Sequence, residues 1–512
     1  MGFLDLHGPP TIETLPRILQ TLPLEVQRIY PDSFRARKGL LYGMIRTGRG
    51  KKLLVFGKKE DLRKDPFVGE VFEDSPSVKI CEQSLENVPV LMELFPFTRP
   101  VPVLGAKATI GTGDRLGLAT PGHIRAIRKF NVRPVLAQQS SRENGQTGRT
   151  FEAVIADAAW SVFQEGYEEG YGADADHLKS LDEVKQALRS GITMITLDPT
   201  DLLAIETLSL PTRIIERRFK EVIDPGDADV LFHLFLDKEF RFSGERGDLS
   251  IRFSEEEVKR YALYFHPALH FTEEAYQLIE RHTGKRPLID LEWSIDESPL
   301  TTSPAAHLFL VVALHHRGVR ISSFAPRLVG DFQKGIDYLG DLSAFRDLLY
   351  QHHLISQHYG TYKLSLHSGS DKFSILPILG QTTQGRFHLK TSGTSWLEAV
   401  RLISQRDPSL FREMYLNALS GFPGASSQYP STPELPDLPH PDSLADSDLP
   451  FLLDHPPLRQ LFHITYGLLL KSQLRDRIYQ RTFQDEEAYA SLLEEHIGNH
   501  LFHLGAERRE TG

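Results

Sequence analysis

From Ala108 onward the chain alternates two kinds of segment. Short runs of β-branched and other apolar residues each end in a polar loop, and longer stretches repeat their apolar positions with helical spacing. Eight runs of the first kind follow one another: AKATIGTGDRLG, RPVLAQQSSREN, GYGADADHLK, ITMITLDPTDL, PLIDLEWSIDES, VRISSFAPRLVG, YKLSLHSGSDK and GRFHLKTSGTS. Helical spacing fills most of the intervals, as over Thr120 to Phe130, Leu181 to Ser190, Ser303 to Arg317 and Leu342 to Gln351. Eight strand-helix units are the number of a closed (β/α)8 TIM-type barrel. An open doubly wound α/β sheet uses the same rhythm and differs in closure.

The barrel is expected over residues 105–400, and the pattern changes around and within it. Residues 1–104 read as a separate α+β segment, in which YGMIRTGRGKKLLVFGKK predicts a β-hairpin and Pro-rich PFTRPVPVLG leads into the barrel. Between the fourth and fifth units, Leu203 to Arg286 contains SEEEVKRYALYF and TEEAYQLIERH. Ordinary βα connections run ~2–6 residues, so a helical insertion or lid is expected over 203–286. Residues 401–512 read as a helical extension interrupted by a loop over 422–450, whose Pro, Ser and Asp content cannot bury a core.

Composition narrows the function. The 512 residues are 40% hydrophobic and 25% charged, a globular balance, and 58 Lys plus Arg against 68 Asp plus Glu leave a formal charge of -10, which argues against a nucleic-acid groove. The single cysteine, Cys81, excludes an intrachain disulfide and Cys-based metal sites and suits a reducing compartment. The amino terminus lacks the basic head and apolar stretch of a signal peptide, and Leu6 stands where a myristoylation motif wants Ser or Thr. The apolar run Leu308 to Leu314 is far below the ~20 residues needed to span a bilayer. A cytoplasmic protein without membrane insertion is expected; the oligomeric state leaves no mark in the sequence.

A barrel carries its chemistry at the carboxyl ends of its strands. The third strand ends Asp174, Ala175, Asp176, His177, Leu178, Lys179, an ending that packing alone does not require. His367 closes the seventh strand and His388 lies in the eighth. Imidazoles from three strands can converge, and neutral nitrogen ligands with an open position suit a catalytic divalent metal such as Zn, Mn, Ni or Co. After these residues come His367-Ser-Gly-Ser and Thr391-Ser-Gly-Thr-Ser, with a helix beginning near Trp396. Their small residues and the nearby Lys372 and Lys390 predict a pocket for a phosphate or carboxylate. On the fifth strand Asp290, Glu292, Ser294 and Asp296 share one face by alternation. Acids facing a lumen need a cation, and Glu292 is the expected acid/base or additional ligand, with Asp296 in reserve.

Other histidines read as structural. Pro267 between His266 and His270 predicts a turn or helix start, His496 and His500 lack the Glu of a zinc protease motif, and the doublets His315/His316 and His352/His353 fall in helix-terminal patterns. GTGDRLG spaces its glycines one residue too widely for a dinucleotide fingerprint, so NAD is disfavoured.

GADADHLK at 172, LEWSIDES at 291, APRLVGDFQKGIDYLGDL at 325, LHSGSDKFSILPI at 366 and HLKTSGTSWLEAVR at 388 together resemble the tagaturonate epimerase family. The resemblance implies interconversion of the keto-uronates D-tagaturonate and D-fructuronate with a divalent metal. The Asp-His pair and the His-Ser-Gly-Ser loop are also similar to class II ketose aldolases. Carried over by residue, this implies Asp176 as acid/base and His177, His367 and His388 as ligands, with Glu292 as the opposite proton carrier by strand position. The two uronates differ at a carbinol β to the ketone, whose C–H that carbonyl does not acidify. A retro-aldol cleavage and re-addition is therefore the expected route, with Lys179, Lys390 or the Thr391 to Ser395 loop holding the substrate carboxylate. A class II-type aldolase, a tagatose/fructose (phosphate) 4-epimerase and a non-catalytic sugar-acid-binding barrel stay open as alternatives.

Overall fold

The structure is a computed structural model that describes residues 22, 24–72, 77–284, 289–359, 362–427, 435 and 438–509. The chain forms two compact units, residues 1–100 with 152–171, and residues 101–151 with 172–512. In the first, an antiparallel sheet runs in the order Val26–Arg37, Leu40–Thr47, Gly50–Phe56, Val78–Glu82, Gly69–Phe72. The expected hairpin is its second and third strands, paired from Leu41↔Phe56 to Thr47↔Gly50. Tyr42, Phe67 and Phe95 pack with Ala156, Ala159, Trp160 and Phe163 of the helix Phe151–Gln164. Cys81 is free and buried in that core.

The second unit holds the barrel. Its strands are β1 (Ala108–Gly113), β2 (Arg133–Ser140), β3 (Gly172–Leu178), β4 (Met194–Leu197), β5 (Asp290–Ser294), β6 (Ser323–Ala325), β7 (Lys363–Leu366) and β8 (Phe387–Thr391). All neighbours are parallel, and β8 pairs back onto β1 from Phe387↔Ala108 to Thr391↔Thr112, so the sheet is closed. The TIM-type barrel is thus confirmed and the open sheet excluded. Every strand is almost wholly buried because helices cover the outside and side chains fill the lumen.

Between β4 and β5 lie the helices Thr212–Val222 and Pro225–Phe235, a two-stranded hairpin, Glu239–Phe242 with Leu249–Arg252, and the helix Glu255–Thr283. Ser254 and Glu257 form a capping box at the start of that last helix. The turn expected at Pro267 is absent: Pro267 sits inside the helix. An interior proline costs roughly 3 kcal/mol, but Leu263, Phe265, Leu269 and Phe271 on both sides of it are buried, and that burial outweighs the lost hydrogen bond. His352 and His353 also depart from expectation. The helix runs Leu342–Tyr359, well past Gln351, so both are buried within it, with His352 Nδ1 2.9 Å from His307 Nδ1.

After β8 the helices Thr394–Arg406, Pro408–Ser426, Pro456–Leu469, Arg475–Gln484 and Glu486–His503 follow. Trp396, Phe411, Tyr415, Phe462 and Tyr489 share one apolar core. Part of the Pro-rich loop, residues 428–434, 436 and 437, lies outside the described residues, as does the amino terminus through residue 21. Among the described residues no helix is long and apolar enough to cross a membrane.

Candidate active site

The strand ends bring three side chains to one place. The pairing of β3 with β4 shifts between Ala175 and Leu178, and within that shift His177 adopts φ 52°. Ser368, next to His367 after β7, adopts φ 51°. Non-glycine residues in the left-handed region are costly and gather at functional sites. Here the turns aim two imidazoles at each other: the rings of His177 and His367 meet edge-to-face at 5.1 Å.

Each ring is held from behind. His177 Nδ1 lies 3.0 Å from the buried carboxylate of Asp198, and His367 Nε2 lies 2.6 Å from Glu292. His177 Nε2 is consequently the nitrogen near Asp176, at 3.8 Å, while His367 Nδ1 lies 3.0 Å from Asp296. Asp176, His177 and His367 each offer one ligand atom within 4.8 Å of the others. Burial opposes the charge on His177, but Asp176, Asp198 and Asp296 outweigh it and push the ring up to about 10. For His367 burial is likewise outweighed, chiefly by Asp296, and the ring rises to about 9.

Lys390 is the cation that the file of acids required. Its Nζ donates to Asp174 at 2.8 Å, Asp176 at 2.7 Å and Thr196 at 2.5 Å, and pairs with Glu292 at 2.8 Å. Burial alone would favour the neutral acid at Asp176; Lys390 and the two imidazoles reverse this and hold it down at about 2. Asp174 goes the other way, raised to about 6 by burial, with Asp176 and Glu292 adding to the rise against Lys390. Glu292 is held well below the usual range, burial being overcome by Lys390 and His367.

The remaining expected residues are placed elsewhere. His388 does not join the group. It lies two residues before Lys390 on the same lumen face, so it sits a layer deeper, with Nδ1 2.9 Å from Thr109 Oγ1, and burial lowers it to about 3. Lys390 has its ammonium claimed by carboxylates. Lys372 donates to the carbonyls of Gln333 and Ile336, Thr391 to that of Gly111, and Ser395 to that of Gly113. Lys179 pairs with Asp201 at 3.0 Å and Glu297 at 3.4 Å. The two small-residue loops therefore spend these side chains on their own structure. Gly393, at φ 87°, is required there because a Cβ would run into the ring of His463.

Asp176, His177 and His367 open onto a cavity whose wall also includes Arg115, Arg142, Lys334, Glu297, His463 and Tyr466. A second, wider recess shares Glu297, Lys334, His367 and Ser368 with it. Glu292 lines neither, because His367 covers it. Sequence reasoning missed Arg115, Arg142, Lys334, His463 and Tyr466. They come from barrel loops and from the carboxyl-terminal extension, where no periodic pattern marks a residue as facing the site. Arg115 donates Nε and Nη2 to Glu143 and stacks 3.6 Å above the ring of Tyr466.

The donor set fits a divalent cation. Two imidazoles with their outer nitrogens fixed by buried carboxylates, beside an ionised aspartate, form the carboxylate-histidine arrangement that orients metal ligands, and the acids around them favour a positive guest. A second group, Asp371, His496 and His500, does not fit as well. His500 Nε2 accepts the backbone N–H of Asp371 and Nδ1 faces the carbonyl of His496, so its ring is tied to the main chain, whereas the groups engaging His367 are carboxylates, which can share a cation with it. The loop after β1 is closed by its own acid: Asp114 accepts backbone N–H groups from Leu116 to Thr120.

Residues 30–504 match the family model described as UxaE, tagaturonate epimerase. The chain is 39% identical over 477 residues to the tagaturonate/fructuronate epimerase of Thermotoga maritima, covering 92% of this chain and 96% of that one. Crystal structures of the fructuronate-tagaturonate epimerase of Cohnella laeviribosi, one with glycerol and one native, superpose with TM-scores of 0.88 and 0.87 at 38% identity, covering 97% of this chain and 99% of theirs. Sequence, fold and architecture agree along nearly the whole chain, and the protein belongs to the tagaturonate epimerase family.

Proposed function

We propose that this protein interconverts D-tagaturonate and D-fructuronate in the cavity lined by Asp176, His177 and His367, by retro-aldol cleavage and re-addition. One observation carries the reading: both imidazoles are tied from behind by buried carboxylates, and Asp176, His177 and His367 each bring a ligand atom within 4.8 Å of the others. His177 and His367 would hold a divalent cation. When bound, such an ion supplies a Lewis acid for the ketone oxygen of the substrate.

Asp176 accepts the proton of the carbinol oxygen as the adjacent C–C bond breaks, a role suited to a carboxylate kept ionised by Lys390. The bonding electrons pass to the ketone fragment, the aldehyde fragment turns, and the bond re-forms on its other face. Glu292 serves here by orienting His367 and not by carrying a proton, since it does not reach the cavity. The proton must return from an acid on the cavity wall. Asp176, which has just taken that proton, is that acid, since Glu143 is paired with Arg115 and Glu297 with Lys179. The likeness of the Asp-His pair and the His-Ser-Gly-Ser loop to class II aldolases supports the same bond cleavage.

The test is to incubate the metal-loaded protein with D-tagaturonate in deuterated water. Fructuronate without deuterium at the inverted carbon, and without net aldehyde, is expected. Accumulating fragments would make it an aldolase, and no conversion by a metal-replete protein would refute the reading. Asp176→Asn is expected to lower kcat at least ~1,000-fold while the metal stoichiometry persists.

A further inference from the structure

We infer that Lys334 is the residue that reads the substrate carboxylate and so selects sugar acids over neutral ketoses. The inference rests on the reading above and adds to it a residue that decides specificity. A hexuronate differs from the corresponding hexose at one end, where a carboxylate replaces a hydroxymethyl group. A site selective for the acid needs a cation that faces the cavity and is not already neutralised.

The cavity's cations differ in this respect. Lys390 is surrounded by Asp174, Asp176 and Glu292. Arg115 is held by Glu143 at 3.0 Å. Arg142 pairs with Glu297 at 3.9 Å. Lys334 lines both the inner cavity and the wider recess, and among the described residues no carboxylate oxygen lies within 4.0 Å of its Nζ. Nζ makes one hydrogen bond, donated to Ser368 Oγ at 2.6 Å. Two N–H groups of an ammonium remain for a ligand, beside the histidine that would hold the cation.

Its loop is built to keep it there. Lys334 is flanked by residues anchored on both sides. Lys372 Nζ donates to the carbonyls of Gln333 and Ile336, Gln460 Nε2 donates to Gln333 Oε1 at 2.8 Å, and Arg459 Nε donates to the carbonyl of Gly335 at 2.7 Å. A surface lysine has no need of such fixing. A charge placed in advance where an anion will sit loses little entropy on binding, and burial lowers the proton affinity of Lys334, as expected of a cation awaiting its counter-ion.

The test compares wild type with Lys334→Gln, which keeps a donor for Ser368 and removes the charge, and with Lys334→Arg, which keeps the charge. The probe is D-galactonate, a non-reacting sugar acid, titrated into the metal-loaded proteins by calorimetry, alongside kcat and KM on D-tagaturonate and on tagatose. Lys334→Gln is expected to weaken galactonate binding about 100-fold, the scale for removing one partner of a buried charge pair. Its uronate-over-ketose preference should fall by a similar factor, and Lys334→Arg should restore most of both. Unchanged galactonate affinity in Lys334→Gln, or an equal loss on uronate and ketose, overturns the assignment. Should Lys334→Gln fail to fold, Lys334→Met takes its place against Lys334→Arg: the assignment requires the acid preference to fall in Lys334→Met and to persist in Lys334→Arg, and an equal preference in the two overturns it. If wild type binds galactonate through Lys334 but does not epimerise tagaturonate, the proposed reaction fails and this inference stands.

Discussion

Glu292 Oε1 lies 2.6 Å from His367 Nε2 beneath the cavity floor, and this contact decides which nitrogen of His367 faces the site. The same carboxylate receives the hydroxyl of Ser323 at 2.6 Å and pairs with Lys390, so it is immobile. Its work is orientation: a ring fixed from behind presents its other nitrogen in one direction and in one tautomer.

Glu292→Gln should therefore leave a folded protein whose divalent metal binds about 10- to 100-fold more weakly, the range for losing an outer partner of a ligating histidine. Calorimetric titration of the metal-free protein with Zn or Mn measures this. Unaltered affinity in a folded variant would show that the contact does not orient a ligand.

His367 and His388, both singled out in the sequence, should separate experimentally. His367→Ala is expected to lose most of its bound metal and its activity together, whereas His388→Gln keeps its metal content, because its ring sits a layer deeper against Thr109. Elemental analysis of the two purified variants is sufficient, and metal loss in His388→Gln would return it to the ligand set.

Lys390 holds buried carboxylates together at the barrel centre, and removing the ammonium strands them. Lys390→Met should cost about 3–5 kcal/mol of stability, the scale for deleting one member of a buried ion pair. Urea unfolding followed by circular dichroism would register it as a lower midpoint. A loss below ~1 kcal/mol would contradict the role of Lys390 as the counter-charge of the lumen.

Burial lowers His123 to about 4, below its unfolded value near 6.5. Between those values the unfolded chain takes up a proton that the native state does not, so the stability this histidine contributes is full above about pH 6.5 and drains away as pH falls toward 4. His123→Gln should flatten the stability-versus-pH curve in that window by about 1.4 kcal/mol per pH unit. Denaturant midpoints collected from pH 4 to 7 give the slope, and parallel curves for the two proteins would be the contrary result.

Much of the fold was legible because a strand buried on both faces reads as a short apolar run, and a polar loop marks its end. β3 shows this well: GADADHLK stops in charges that only a site or a solvent edge can use. His177 and His367 could be read as partners for the same reason. Asp198, the silent support of His177, could not, since an acid after β4 looks like any loop residue until the contact with His177 is seen. Lys334, Arg115 and His463 were illegible on similar grounds. Pro267 misled because local propensity predicted a break where tertiary burial carried the helix through.

The chain's own pattern determined the alternation of strand and helix, the eight-unit barrel and the polar character of its strand ends, since these follow from spacing over a few residues at a time. Depth within the lumen, the direction of each ring and the partner of each charge were decided by tertiary structure. Period-two alternation tells which face a side chain takes and not how far down it sits. His388 and Lys390 share a face, yet only closure of β8 onto β1 sets one against Thr109 and the other among Asp174, Asp176 and Glu292.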